Sequence, residues 1–116
     1  MQDIIIWHNP RCSKSRNALV YLEKKEIIPT IVKYLDETPS IDELKNILKL
    51  LGFSSARELM RTKEDIYKEL NLKDVNSEDE LIKAMAENPK LIERPIVVNG
   101  SKATIGRPPE SIKNII

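Results

Sequence analysis

Residues 8–16, His-Asn-Pro-Arg-Cys-Ser-Lys-Ser-Arg, hold the chain's single cysteine and single histidine, with Arg11, Lys14 and Arg16 and no acidic residue among them. A cysteine does nucleophilic chemistry as the thiolate, and a free thiol with a pKa of about 8.5 is only slightly ionised near neutral pH. Helix N-terminal amides and neighbouring cations favour the anion. A lone cysteine is most often a small apolar residue of the core. Here its placement among three cations, between a strand and a helix, favours a thiolate nucleophile at Cys12 instead.

The elements around it supply that placement. The apolar run Ile4-Ile5-Ile6-Trp7 ends a strand assigned to residues 3–7, and Ala18, Leu19 and Leu22 mark one face of a helix over 13–26. Pro29 turns the chain into a second strand over 30–35. Strand, helix, strand at this length is a βαβ unit with parallel strands and a right-handed crossover.

A helical stretch follows, over about 40–88. Ser40 with Glu43 forms a capping box ahead of Leu44, Ile47, Leu48 and Leu51, and Gly52 closes that helix. Ser55 with Glu58 starts a short helix that ends near Arg61. Residues 64–70 form another, with Ile66, Tyr67 and Leu70 as its apolar positions. Ser77 with Glu80 opens a fourth, bearing Leu81, Ile82 and Met85 and stopped by Asn88-Pro89. Two short β runs flank Asn99-Gly100, a strong hairpin signal. Pro109 begins a last helix with Ile112, Ile115 and Ile116 turned inward. This order, with a cysteine at the first strand-to-helix junction, is the α/β layout of a thioredoxin-like domain: a four-stranded mixed sheet with a helical insert, in one domain over 1–116.

Bulk properties narrow the function classes. At 116 residues, 41% hydrophobic and 32% charged, the chain suits one globular core. A net charge of +1 argues against a general nucleic-acid or membrane surface. No run is long enough to span a bilayer, the first seven residues lack a signal-peptide layout, and one cysteine makes no internal disulfide. The expectation is a cytoplasmic monomer with no bound metal or cofactor, whose redox partner thiol belongs to another molecule. Arg61, Arg94 and Arg107 stand outside the loop at positions from which guanidinium groups, with their planar fork of donors, could converge on an oxyanion held by Cys12. The Arg94-Pro95 bond, facing the thiol in such a fold, is expected to be cis.

At these residues the sequence resembles the glutaredoxin-coupled arsenate reductases, the ArsC family of the thioredoxin superfamily. The resemblance is carried by residues 8–17 (His-Asn-Pro-Arg-Cys-Ser-Lys-Ser-Arg-Asn), Pro29-Thr30-Ile31, Tyr34-Leu35, Pro39-Ser40, Glu43-Leu44, Leu59-Met60-Arg61, 93–98 (Glu-Arg-Pro-Ile-Val-Val) and Gly106-Arg107-Pro108, covering nearly the whole chain. It implies that Cys12 attacks arsenate, that Arg61, Arg94 and Arg107 bind the oxyanion, and that His8 helps to keep the cysteine ionised. Glutathione then attacks the adduct as co-substrate, arsenite leaves, and glutaredoxin clears the mixed disulfide. Two departures stand out: the family's frequent Cys-Gly-Thr-Ser is Cys-Ser-Lys-Ser here, and glycine rather than a second cysteine precedes Arg107.

Two alternatives belong to other classes. A glutathione-dependent thiol–disulfide oxidoreductase would use the same thiolate without arsenate. A regulator of the same fold that binds RNA polymerase would sense oxidants through Cys-x-x-Cys, but Ser15 occupies the second position. The tyrosine-phosphatase-like arsenate reductases are excluded, because their Cys-x5-Arg loop would need arginine where Ala18 stands.

Overall fold

A computed structural model describes residues 4–116, so Asp3, assigned above to the first strand, lies outside the described residues. These group into two compact units, one running up to Glu37 and resuming over Arg94–Ile116, the other spanning Thr38–Glu93.

The first unit is built on a four-stranded mixed sheet in the order β2-β1-β3-β4, with β1 at Ile4–Trp7, β2 at Thr30–Val32, β3 at Ile96–Asn99 and β4 at Lys102–Ile105. β2 runs parallel to β1, and β3 and β4 run antiparallel to their neighbours. Helix α1, Ser13–Lys24, lays Ala18 and Leu22 on Ile6 and Val97, and Ile112 closes the same cluster. Each of the larger aliphatic side chains buried in this way, Ile6, Leu22, Val97 and Ile112, stabilises the fold by about 1.5–3 kcal/mol.

The register decides where the chemistry can sit. Trp7 pairs with Val32 on one side and with Ile96 on the other, and Ile96 pairs with Ile105. The residues that follow β1, β2 and β4 and those that precede β3 therefore gather at one edge of the sheet: the Cys12 loop, Lys33, Arg107 and Arg94. Their order across that edge is Lys33, His8, Arg94, Arg107.

Three features of this unit differ from expectation. β2 ends at Val32, because the Lys33 carbonyl accepts from the amides of Asp36 (2.9 Å) and Glu37 (2.8 Å) and turns the chain away. Tyr34 lies buried in that turn and stacks on Trp7, ring centroids 6.5 Å apart. The last helix is a 3₁₀ helix, Pro109–Asn114. Its three-residue turn sets Ile112 and Ile115 on one face and leaves Ile116 43% exposed, so the expected inward packing of all three holds for the first two only. The hairpin forms as expected, with Gly100 at φ 61° and the Asn99 side-chain amide donating to the Ile115 carbonyl.

The second unit holds the helical stretch. Helix α2, Ile41–Leu51, has the complete Ser40–Glu43 capping box and ends on Gly52 at φ 74°, with Leu44, Ile47 and Leu48 buried. The Ser55 segment is a 3₁₀ helix, Ala56–Leu59, without a capping box: the Glu58 carboxylate accepts from the amide of Ser54 instead. Helix α3, Asp65–Glu69, buries Tyr67, whereas Leu70 is 44% exposed because the chain leaves through Asn71 at φ 52°. Helix α4, Glu78–Glu87, is capped by Ser77 and buries Leu81, Ile82, Ala84 and Met85. No helix among the described residues is long and apolar enough to cross a membrane.

Candidate active site

Cys12 is the N-cap residue of α1, in extended conformation, and the residue is partly exposed. The loop before it is wound by its own polar groups. The Cys12 amide donates to the Asn9 carbonyl at 3.0 Å, the Arg11 amide to the Asn9 side-chain oxygen at 3.0 Å, and Arg16 Nη1 to the Pro10 carbonyl at 2.9 Å. The His8 amide donates to the Val32 carbonyl at 2.8 Å, which fixes the start of the loop to the end of β2.

The thiol's pKa lies below its ordinary value. Burial of the sulfur pushes it up, but the amide of Ser15, a hydrogen bond from Arg94, the amide of Lys14 and the charge of Arg94 together pull it down further. The anion is thus held by the first turn of α1 and by an arginine from the start of β3. The loop cations Arg11, Lys14 and Arg16, which first drew attention to the motif, are solvent-exposed.

His8 is buried at 5% exposure, and its pKa is lowered by burial first and then by Lys33 and Arg16. It is therefore neutral at pH 7. Its Nδ1 lies 2.7 Å from the hydroxyl of the fully buried Ser15, and that hydroxyl also accepts from the Asn9 amide at 3.0 Å. The direction of the Ser15–His8 bond follows the His8 tautomer, since the hydroxyl can either donate to Nδ1 or accept from it. His8 thus meets the Cys12 loop through Ser15 and not as a cation. In the sequence, Ser15 stands out only as the absence of a second cysteine; a buried hydroxyl one turn from the nucleophile has no signature in composition.

Arg94 is half-buried, and both Arg94-Pro95 and Arg107-Pro108 are cis, the first as expected and the second not foreseen. Arg107 is exposed at the end of β4. The turn that carries it is drawn close to Pro95: the Gly106 amide donates to the Pro95 carbonyl at 2.9 Å. A Cβ at Gly106 would lie 3.2–3.3 Å from Pro95, Ala18 and Ile112, so this approach favours glycine. The structure therefore brings Cys12, His8 and Arg94 together and sets Arg107 at the same edge of the sheet. Arg61 belongs to the second unit, where its guanidinium pairs with Glu64 and lies 4.0 Å from Glu93. Among the described residues no cluster of three or more His, Cys, Asp or Glu could hold a metal ion.

The sequence profile of the ArsC family matches residues 7–115. The chain belongs to the ArsC family. It is 53% identical over 114 residues to an arsenate reductase of Haemophilus influenzae, covering 97% of this chain and 98% of that protein. It is 54% identical over 116 residues to the uncharacterized protein YfgD of Escherichia coli K12, covering 99% and 98% of the two. The solved structure of an arsenate reductase from Vibrio cholerae superposes with a TM-score of 0.96 at 52% identity, over 99% of this chain and 98% of that one. The α/β architecture is accordingly that of ArsC proteins, the thioredoxin-like fold expected above.

Proposed function

We propose that this protein is an arsenate reductase in which Cys12 is the nucleophile, glutathione the reductant and glutaredoxin the partner that regenerates the thiol. The observation that carries the reading is the sulfur of Cys12 at the start of α1 with a lowered pKa and a hydrogen bond from Arg94. The relatives named arsenate reductases supply the substrate.

The chemistry balances with one thiol in the chain. The thiolate attacks arsenic, a protonated arsenate oxygen leaves as water, and an S–As(V) bond forms. An external thiolate then attacks the sulfur. An S–S bond forms, the S–As bond breaks, and its electron pair stays on arsenic, which departs as As(III). The two sulfurs are oxidised to a mixed disulfide, and glutaredoxin reduces it. Placing an anionic substrate beside a thiolate costs roughly 4 kcal/mol per pair of unit charges at ~4 Å and an effective dielectric of ~20. Arg94 offsets this at the sulfur, and Arg107, at the same edge, is the second candidate. Arg61 is the third by family resemblance alone; its pairing with Glu64 and Glu93 already engages its charge. His8 positions the loop through Ser15. Phosphate would bind through the same charges, but thiols do not reduce phosphorus, so selectivity lies in the chemistry.

The test is arsenate-dependent NADPH oxidation coupled through glutathione, glutaredoxin and glutathione reductase. The wild-type chain should turn over and Cys12→Ser should fall to background. Wild-type turnover of a small mixed disulfide with none of arsenate would favour the thiol–disulfide oxidoreductase instead.

A further inference from the structure

The sheet ends on β2, and the outer side of that strand is paired with nothing among the described residues. Ile31, in the middle of the strand, is 44% exposed, and Ile28, just before it, is 96% exposed. An open strand edge with apolar side chains in water beside it is a template for another chain.

The backbone of that edge reads group by group. The Val32 carbonyl accepts from the His8 amide at 2.8 Å, so the backbone groups of Val32, and of Thr30 two residues earlier, face β1. Those of Pro29, Ile31 and Lys33 face outward. Proline has no N–H, and the Lys33 carbonyl already accepts from the amides of Asp36 and Glu37. Left open are the Pro29 carbonyl, both groups of Ile31 and the Lys33 amide.

An antiparallel copy of the same edge, centred on Ile31, pairs all of them. Each Ile31 amide meets the other copy's Ile31 carbonyl, and each Lys33 amide meets the other copy's Pro29 carbonyl. The donor that proline lacks falls opposite the one carbonyl that needs none. A two-residue slip in one direction sets the Ile31 carbonyl against Pro29, which cannot donate. A slip the other way sets the Ile31 amide against the occupied Lys33 carbonyl. The fully paired register is the two-fold one, and it places the two Ile31 side chains directly across the axis. A net charge of +1 sets little repulsion between the copies.

We propose that the outer edge of β2 is an interface for a second copy of this chain, which joins the two sheets into one about a two-fold axis at Ile31. β2 has three residues, so the contact is small beside the roughly 1,200–2,000 Å² of a stable interface. The pairing is therefore reversible, and in dilute solution the chain stays the monomer expected above.

Sedimentation velocity reads this association, with a reducing agent present so that Cys12 cannot link copies. The sedimentation coefficient of the wild-type chain should rise with concentration toward that of a dimer. Ile31→Lys sets two like charges at the axis and should raise the dissociation constant at least tenfold. Leu70→Lys makes the same kind of exchange at a leucine of the second unit that is also 44% exposed, and should leave the constant unchanged. Cross-linking tests the register, and decides the matter even if Ile31→Lys weakens the fold. In a Cys12→Ser background, Ile31→Cys places two thiols across the axis with Cα atoms about 5.5 Å apart, within disulfide reach. Thr30→Cys places them roughly 8 Å apart, beyond it. Under a mild oxidant that takes up the two electrons and two protons, Ile31→Cys should form covalent dimer at least tenfold faster than Thr30→Cys. The proposal is overturned if the wild-type chain stays monomeric up to about 1 mM, if a folded Ile31→Lys associates as the wild type does, or if Thr30→Cys links as fast as Ile31→Cys.

Discussion

Two anions in this protein are held by similar means and put to different ends. Cys12, in the first unit, faces the amides of Ser15 and Lys14 at the start of α1 and a guanidinium from Arg94. Glu78, in the second unit, accepts from the Ala56 amide at 2.6 Å and from the Ser55 hydroxyl at 2.8 Å, with Arg57 nearby. In both, backbone amides and an arginine lower the acid's pKa. An exposed carboxylate such as Glu78 is an anion at neutral pH without help, so holding it ties together chain segments and does nothing further. Arg57 is engaged likewise, donating to the Tyr67 hydroxyl and to the carbonyls of Leu72 and Val75. A thiol in ordinary surroundings is mostly protonated near pH 7, so the same donors there raise the share of thiolate and with it the reactivity. What separates a structural anion site from a catalytic one is the intrinsic pKa of its occupant.

That contrast can be broken by experiment. Removing the arginine should have the largest effect. Arg94→Ala should raise the Cys12 pKa, so that the pH midpoint of iodoacetamide labelling moves upward. At a pH below that midpoint, the thiolate population falls about tenfold for every pH unit the midpoint rises. The same variant should raise the KM for arsenate more than it lowers thermal stability, since Arg94 is only half-buried. A collapse of Tm with unchanged arsenate affinity would assign Arg94 to folding.

Ser15→Ala comes next. It leaves the Asn9 amide and His8 Nδ1 without their hydroxyl, and an unsatisfied buried polar group costs about 1–3 kcal/mol. The expected signature is a lower Tm together with a shifted His8 titration by NMR and a changed Cys12 pKa. Loss of stability with both titrations unmoved would reduce Ser15 to packing.

Acid should reveal His8 in the wild-type chain. Its folded pKa is depressed, so the unfolded chain binds more protons than the folded one between the folded value and the ordinary 6.5. The stability it contributes is complete above pH 6.5 and is lost as pH falls through the folded value. His8→Gln should flatten that part of the Tm–pH curve.

The smallest effect on chemistry is expected from Glu78→Gln. Its contribution is present above the usual carboxylate pKa and lost as pH falls through the lowered one. The variant should therefore lower Tm modestly at pH 7 and leave iodoacetamide labelling of Cys12 unchanged. A shift in that labelling would mean that the two anion sites are coupled.

Much of the fold could be read from local signals of low ambiguity. Ser40 with Glu43, Gly52 and the Asn99-Gly100 turn each specify a backbone geometry with few competitors, and each appears in the structure. Signals shared between partners misled. Ser55 does start its short helix, its hydroxyl accepting from the Arg57 amide, but that hydroxyl also donates to Glu78, twenty-three residues away, and Glu58 turns back to Ser54 rather than to Ser55. β-Propensity extends β2 to Leu35, but the turn at Lys33 and the burial of Tyr34 against Trp7 prevail. At the site, Cys12 stood out because it is solitary and stands among cations. The source of its stabilisation was legible in part: the amides of Ser15 and Lys14 are the helix N-terminal donors expected, but the cation is the distant Arg94 rather than one of the loop's own, and sequence does not show which arginine folds back. Lys33 and Asp36 carried no motif; their nearness to the loop follows from the register of β1 with β2.

The solitary sulfur has a consequence for how such a protein could be followed. A molecule without a second thiol has no way to erase its own oxidation, so whatever small sulfur compound last reacted with it stays attached until another agent takes it away. Chains recovered from a working mixture under acid quench would each carry that compound as a mass tag, and the spread of tags would record which reductants were at hand and how quickly they were cleared.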